Sequence, residues 1–194
     1  MVKVIKPKGE SRNTPVKKEQ KEMPQEAPAR KERKTAPSDA RSVSLEMLAK
    51  FYLGPMDLDM KVRQMTVNTG TEPPVWMAAL EIMRDRVTKT EDPDLKLKMY
   101  QGMVDMLAQM GQKEDLRIIQ EIIARVNLTA FKHLGFEKVE VECAKDACPA
   151  CRKMSGKRLK IEDALSAMPL PCHDCATERE AVKGYCRCRY FAVF

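Results

Sequence analysis

Cys148-Pro149-Ala150-Cys151 is followed, after twenty intervening residues, by Cys172-His173-Asp174-Cys175 and then by Cys186-Arg187-Cys188. Two residues between a pair of cysteines let both sulfurs turn toward one ion about 2.3 Å away. The pattern CxxC-x20-CxxC lies at the long end of the spacing found in four-thiol zinc sites. All seven cysteines fall within the last 52 of the 194 residues, beginning at Cys143. The opening MVKVIKPKGE has no apolar run of the kind a signal peptide needs, so export is not expected. In a reducing compartment, clustered thiols point to metal rather than to a disulfide framework.

Six candidates compete for a closed structural site, which takes four ligands. In one allocation Cys148, Cys151, Cys172 and Cys175 hold the ion, and Cys186 and Cys188 are spare. In the other, Cys148, Cys151 and Cys175 are joined by Cys186 or Cys188. His173 can replace a thiol in either, and Cys148 and Cys151 belong to both. Zinc is the expected ion because thiolate-rich, tetrahedral, redox-inert sites favour it. A redox dithiol would sit between a strand and a helix, whereas Arg152-Lys153-Met154-Ser155-Gly156-Lys157 reads as a turn. A catalytic zinc would need an open position and a nearby acid or base, and no paired carboxylate offers one.

Upstream of the thiols, Val139, Val141 and Cys143 alternate with Lys138, Glu140 and Glu142, which predicts a strand with one face exposed. Cys143 falls with the apolar set and is assigned to the strand's buried face, not to the ligands. Before Gly135 the period changes to that of helices. A first helix starts near Ser42 or Ser44, with Leu45, Leu48, Ala49 and Tyr52 on one face, and stops at Gly54-Pro55. A second spans about 57–67 with Leu58, Val62 and Met65 inward, and Asn68–Thr71 is a turn. Pro73-Pro74 opens a third, through about Val87, with Val75, Ala79, Ile82 and Met83 inward. Asp92-Pro93 caps a fourth, whose stripe of Met99, Met103, Met106, Leu107 and Met110 ends at Gly111. The fifth runs from about Lys113 to His133 with Leu116, Ile119, Ile123, Val126 and Ala130 inward. The methionine stripe is expected in the core, a partner groove being the other use of such a surface. The short link between the last two helices predicts antiparallel neighbours.

Residues 1–42 contain five prolines and almost no large apolar residue beyond Ile5, and are expected to be disordered. They carry net charge +6, residues 43–142 carry −3 and residues 143–194 carry +4, so the overall +7 is concentrated at the two ends. No run of about eighteen apolar residues is present to suggest a membrane span. The chain is therefore expected to be mainly α. A disordered basic tail (1–42) precedes a helical body of about five helices (43–135), and a small Cys-rich α+β zinc module (136–194) follows.

The last seventy or so residues resemble the C-terminal module of the phage head-morphogenesis, or minor head protein, family. The likeness is carried by Ala124-Arg125-Val126-Asn127, Val139-Glu140-Val141, Asp146 before Cys148-Pro149-Ala150-Cys151, Gly156-Lys157, Pro169–Cys175 and Cys186-Arg187-Cys188. Two features depart from that pattern: His173 is not followed by proline, and the run from Cys175 to Cys186 is longer. The resemblance implies a role in virion assembly, with phage structural proteins as partners, in the cytoplasm of a microbial host or in the particle.

The expected function is thus non-enzymatic: a zinc-binding structural or interaction protein, without small-molecule substrate or membrane attachment. The alternative is a nucleic-acid-binding zinc ribbon. It would use Lys153, Lys157, Arg158, Lys160, Arg187 and Arg189 on phosphates and Tyr185, Tyr190 and Phe191 on bases. Thiolates offset much of that charge, so nucleic-acid binding is expected to be weak. No glycine-rich phosphate loop and no nucleophile–base pair supports an enzyme.

Overall fold

The computed structural model describes residues 37–180 and 182–194. The disorder expected for residues 1–36 lies outside the described residues. Five helices come first: α1 (Pro37–Ala49), α2 (Pro55–Thr69), α3 (Val75–Lys89), α4 (Pro93–Gln109) and α5 (Lys113–His133). A mixed region follows: β1 (Lys138–Glu142), α6 (Pro149–Arg152), β2 (Arg158–Lys160), α7 (Ile161–Ala167), β3 (Glu178–Arg179), β4 (Val182–Lys183) and β5 (Arg189–Val193). The mainly α body and small α+β module are as expected. Helical structure, however, begins at Pro37, inside the stretch assigned to the tail. Proline with its fixed φ suits a first helical turn, so Pro37 starts a helix there.

Local chemistry sets the helix ends. Asp92 accepts the backbone N–H groups of Asp94 and Leu95 at 2.9 and 3.3 Å, with Pro93 in the first turn. Gly135, at φ 86°, supplies the left-handed residue that ends α5. The connection Met110–Gln112 folds α5 back against α4. Met99, Met103, Met106, Leu107 and Met110 are all buried, so the methionine stripe is core and not a partner groove.

The first helix corrects its sequence reading. Its buried residues are Ser44, Met47 and Leu48, with Phe51 buried in the turn that follows, whereas Ala49 is exposed and Tyr52 in that turn is 98% exposed at a positive φ of 60°. The buried face is set by α4, where Gly102 leaves room for Phe51 and Met47. A Cβ on Gly102 would stand 3.0 Å from the Phe51 ring and 3.6 Å from Met47 Cγ. A second correction is on α5, where Ala130 is exposed. The helix serves two cores. Leu116, Ile119, Ile122 and Ile123 pack on the helical core, while Ala124, Leu128 and Phe131 pack on the second. The inward stripe thus runs Ile119, Ile123, Ala124, Leu128, Phe131 and turns away from Val126 and Ala130.

The second core rests on a three-stranded antiparallel sheet, order β2-β1-β5, in which Val139 faces Leu159 and Ala192, and Val141 faces Tyr190. Val139 and Val141 are buried, as their alternation predicts. The small β3–β4 hairpin sends Val182, with Tyr185 just after it, into the helical core. No helix among the described residues is long and apolar enough to cross a membrane.

Candidate metal centre

Three short pieces of chain carry the thiols. Cys148 stands just before α6 in an extended conformation with Pro149 behind it, and Cys151 lies within that single turn. Pro149 favours helix in its first turn, so the turn starts at once and swings the Cys151 sulfur to the same side as Cys148. After α6 the chain returns beside β1, with Gly156 N–H donating to Val141 O at 2.8 Å and Val141 N–H to Lys157 O at 2.9 Å. Cys172 and Cys175 are drawn together by the Cys175 N–H, which donates to Cys172 O at 3.2 Å. Cys186 and Cys188 lie on the extended run into β5. Leu128, Val139, Val141, Ile161, Ala164, Leu170 and Tyr190 supply the apolar surroundings.

Two groups of sulfurs result. Those of Cys151, Cys172, Cys186 and Cys188 lie within 4.8 Å of one another, as do those of Cys148, Cys151 and Cys175. The first group can hold a metal ion such as zinc. Neither four-thiol allocation drawn from the spacing coincides with it. The Cys172–Cys175 pair is divided, since Cys172 joins the Cys186-Arg187-Cys188 run, whereas Cys148 and Cys151 stay together with Cys175, the three thiols common to the second allocation. Spacing shows that two sulfurs can reach one ion; it does not show which pairs do.

His173 is not in either group. It is exposed, and Arg117 Nη1 of α5 lies 3.1 Å from its Nδ1. The seventh cysteine departs from its strand-face assignment. Cys143 follows β1, is half-buried, and places its sulfur 2.6 Å from that of Cys188, while its thiol donates to Cys151 O at 3.1 Å.

The protonation of the thiols reflects their crowding. Hydrogen bonds from Cys172 and Cys188 hold the Cys186 thiol far below the usual thiol range. The same contact with Cys186, as its partner, pushes Cys172 up to about 11. Burial pushes Cys151 up, and the neighbouring Cys186 charge adds to it. Cys188 is driven up by its contacts with Cys172 and Cys186. Burial raises Cys175 as well. At Cys148 burial also acts upward, but backbone N–H groups of Cys151 and Ala176, with the Cys151 and Cys175 thiols, bring it down to about 6. So many thiols cannot all ionise in one buried place, and a divalent cation reverses that logic by favouring every thiolate it touches.

The centre is anchored to the helical body by polar contacts that sequence reading did not single out. Gln120 Nε2 of α5 donates to Cys186 O at 2.9 Å. Gln101 Nε2 of α4 donates to Tyr185 OH at 3.3 Å, and the Arg179 guanidinium donates to the same hydroxyl and pairs with Asp105 at 3.3 Å. Arg125 Nη1 donates to Leu165 O at 3.2 Å. Polar residues of an amphipathic helix carry no signal of their distant partners.

Two of the candidate nucleic-acid arginines are paired with carboxylates. Arg187 pairs with Asp146 at 2.5 Å and Arg158 with Glu140 at 2.9 Å. Tyr185 and Tyr190 are buried, leaving Phe191 exposed. Compared with protein-family models, curated proteins and solved structures, the chain matches none.

Proposed function

We propose that this is a non-enzymatic structural protein whose C-terminal module is folded around zinc and whose partners are other proteins. The observation that carries the reading is the four-thiol group of Cys151, Cys172, Cys186 and Cys188, three of them buried. Sulfur-only tetrahedral sites suit zinc, and a site closed by four protein ligands leaves no position for substrate. The metal therefore contributes folding free energy and not chemistry. The module's own apolar core is small, which is the condition under which small domains recruit a metal.

The motif resemblance suggests use in phage head assembly, where a rigid module on a helical body would present a fixed surface to neighbouring structural proteins. Protein partners are favoured over nucleic acid because Arg158 and Arg187 are already paired with carboxylates and two of the three candidate stacking rings are buried. Elemental analysis of the full chain purified without chelator tests the metal, with at least one zinc per chain expected and a metal-free, folded module contradicting it. A salt titration of DNA and RNA binding tests the partner class. Weak affinity at physiological salt is expected, and submicromolar affinity abolished by neutralising Lys157 and Arg158 would favour the nucleic-acid reading instead.

A further inference from the structure

We propose that the module holds two metal ions in one thiolate cluster, with Cys151 and Cys186 each bridging both. The proposal rests on the structural-metal reading above and deepens it. Once an ion is assigned to Cys151, Cys172, Cys186 and Cys188, the thiols of Cys148 and Cys175 remain, and they are not scattered. Their sulfurs lie 4.0 Å apart, and Cys175 Sγ lies 3.6 Å from Cys151 Sγ. Four sulfurs set tetrahedrally about 2.3 Å from an ion stand about 3.8 Å from one another. The second triangle, Cys148-Cys151-Cys175, therefore has the dimensions of one face of a tetrahedral site.

The fourth corner is Cys186, whose sulfur lies 3.9 Å from that of Cys151, the separation of two ligands on one ion. It lies more than 4.8 Å from at least one of Cys148 and Cys175, so binding the second ion draws the Cys186 run toward the triangle. Sharing the Cys151–Cys186 edge gives the first ion Cys151, Cys172, Cys186 and Cys188, and the second Cys148, Cys151, Cys175 and Cys186. Two four-coordinate ions need eight ligand positions, and six thiolates with two of them shared fill all eight. No thiol of the two CxxC pairs or of Cys186-Arg187-Cys188 is then left over. His173 is turned to Arg117, and Cys143 sits outside, against Cys188.

Charge permits the second ion. One divalent ion on four thiolates has net charge −2. A second divalent ion that converts two more thiols to thiolates, releasing two protons, leaves −2 unchanged. The site gains a cation between sulfurs that otherwise face one another, and no further net charge is buried. Cys148 Sγ is already supported as an anion by the Ala176 N–H at 3.4 Å, and Cys186 Sγ by the Cys172 N–H at 3.3 Å.

Native mass spectrometry of the full chain, expressed with zinc, counts the ions directly, and 113Cd NMR of the cadmium-exchanged chain reads the bridges. Two ions per chain are expected, with two cadmium resonances in the tetrathiolate range coupled to each other through the shared sulfurs. One ion per chain would overturn the cluster and leave the proposed structural role standing. No ion would overturn both. Two ions without mutual coupling would overturn the bridging. Cys175→Ser is expected to lower the count from two to one, and an unchanged count of two would refute its place among the ligands. Cys143→Ser is expected to leave the count at two, and a lower count would put Cys143 in the cluster and refute the six-thiol assignment.

Discussion

The helical body and the cysteine module bury their interiors with different materials. Of the twenty buried residues of the helical core, two of them (Val182 and Tyr185) lent by the module, six are methionines, and the cluster also contains leucine, alanine, valine and phenylalanine. Of the module's thirteen, five are cysteines. Unbranched thioethers adapt to gaps between helices and stabilise by the area they remove from water, about 25 cal/mol per Å². Thiols are small, and gathered together they leave little apolar area to bury. What they offer is a ligand set. The difference predicts a body held by apolar burial and a module that depends on an ion, the two joined by α5 and by Val182 and Tyr185, which the module lends to the helical core.

The sharpest way to break that contrast is Cys151→Ser, since this sulfur belongs to both groups. Structural zinc contributes on the order of 10–16 kcal/mol, as much as a whole domain's net stability, so its loss is expected to unfold the module. Elemental analysis should find the metal lost, and circular dichroism should retain the helical signal of α1–α4. Collapse of that signal in step with the module would show one cooperative unit.

Acid is the next largest perturbation. Protons compete with metal at every sulfur, because each ligand must be a thiolate. Metal content measured after dialysis should be constant from neutral to alkaline pH and fall in acid; a content unchanged by acid would contradict thiolate ligation. A change in the body should do the opposite. Met103→Ala removes a fully buried side chain and is expected to cost about 2–5 kcal/mol in denaturant unfolding of the helices, with the metal count unchanged. The smallest effect is expected at the seam. Gln120→Ala removes the donor to Cys186 O and should cost about 1 kcal/mol, read as earlier release of metal to a chelator.

Much of the body was legible because helical periodicity and punctuation are local. Asp92-Pro93, Gly135 and the stripe from Met99 to Met110 do in the structure what their chemistry predicts. The misread faces, Tyr52 and Ala130, arose where tertiary packing chose between adjacent stripes. In α1 the choice depended on the space over Gly102, sixty residues from the helix's start as the sequence placed it. In the module the strand of Val139 and Val141 and the identity of the candidate ligands were equally local. How the thiols divide was not, because it depends on how the run of Cys186 and Cys188 returns through β5 to β1. The contacts of Gln101, Gln120 and Arg179 across the seam were likewise invisible, since nothing in an amphipathic helix marks which polar residue will meet a distant loop.

Metal is expected to hold the module, and apolar burial the body. Hydrogen exchange of the full chain, followed amide by amide with metal bound and after chelation, tests it most directly. Chelation is expected to strip protection from β1, β2, β5 and the turns carrying Cys148, Cys151, Cys172 and Cys175, while α3 and α4 keep theirs. Unchanged protection of β1 and β5 in the chelated chain would contradict the account.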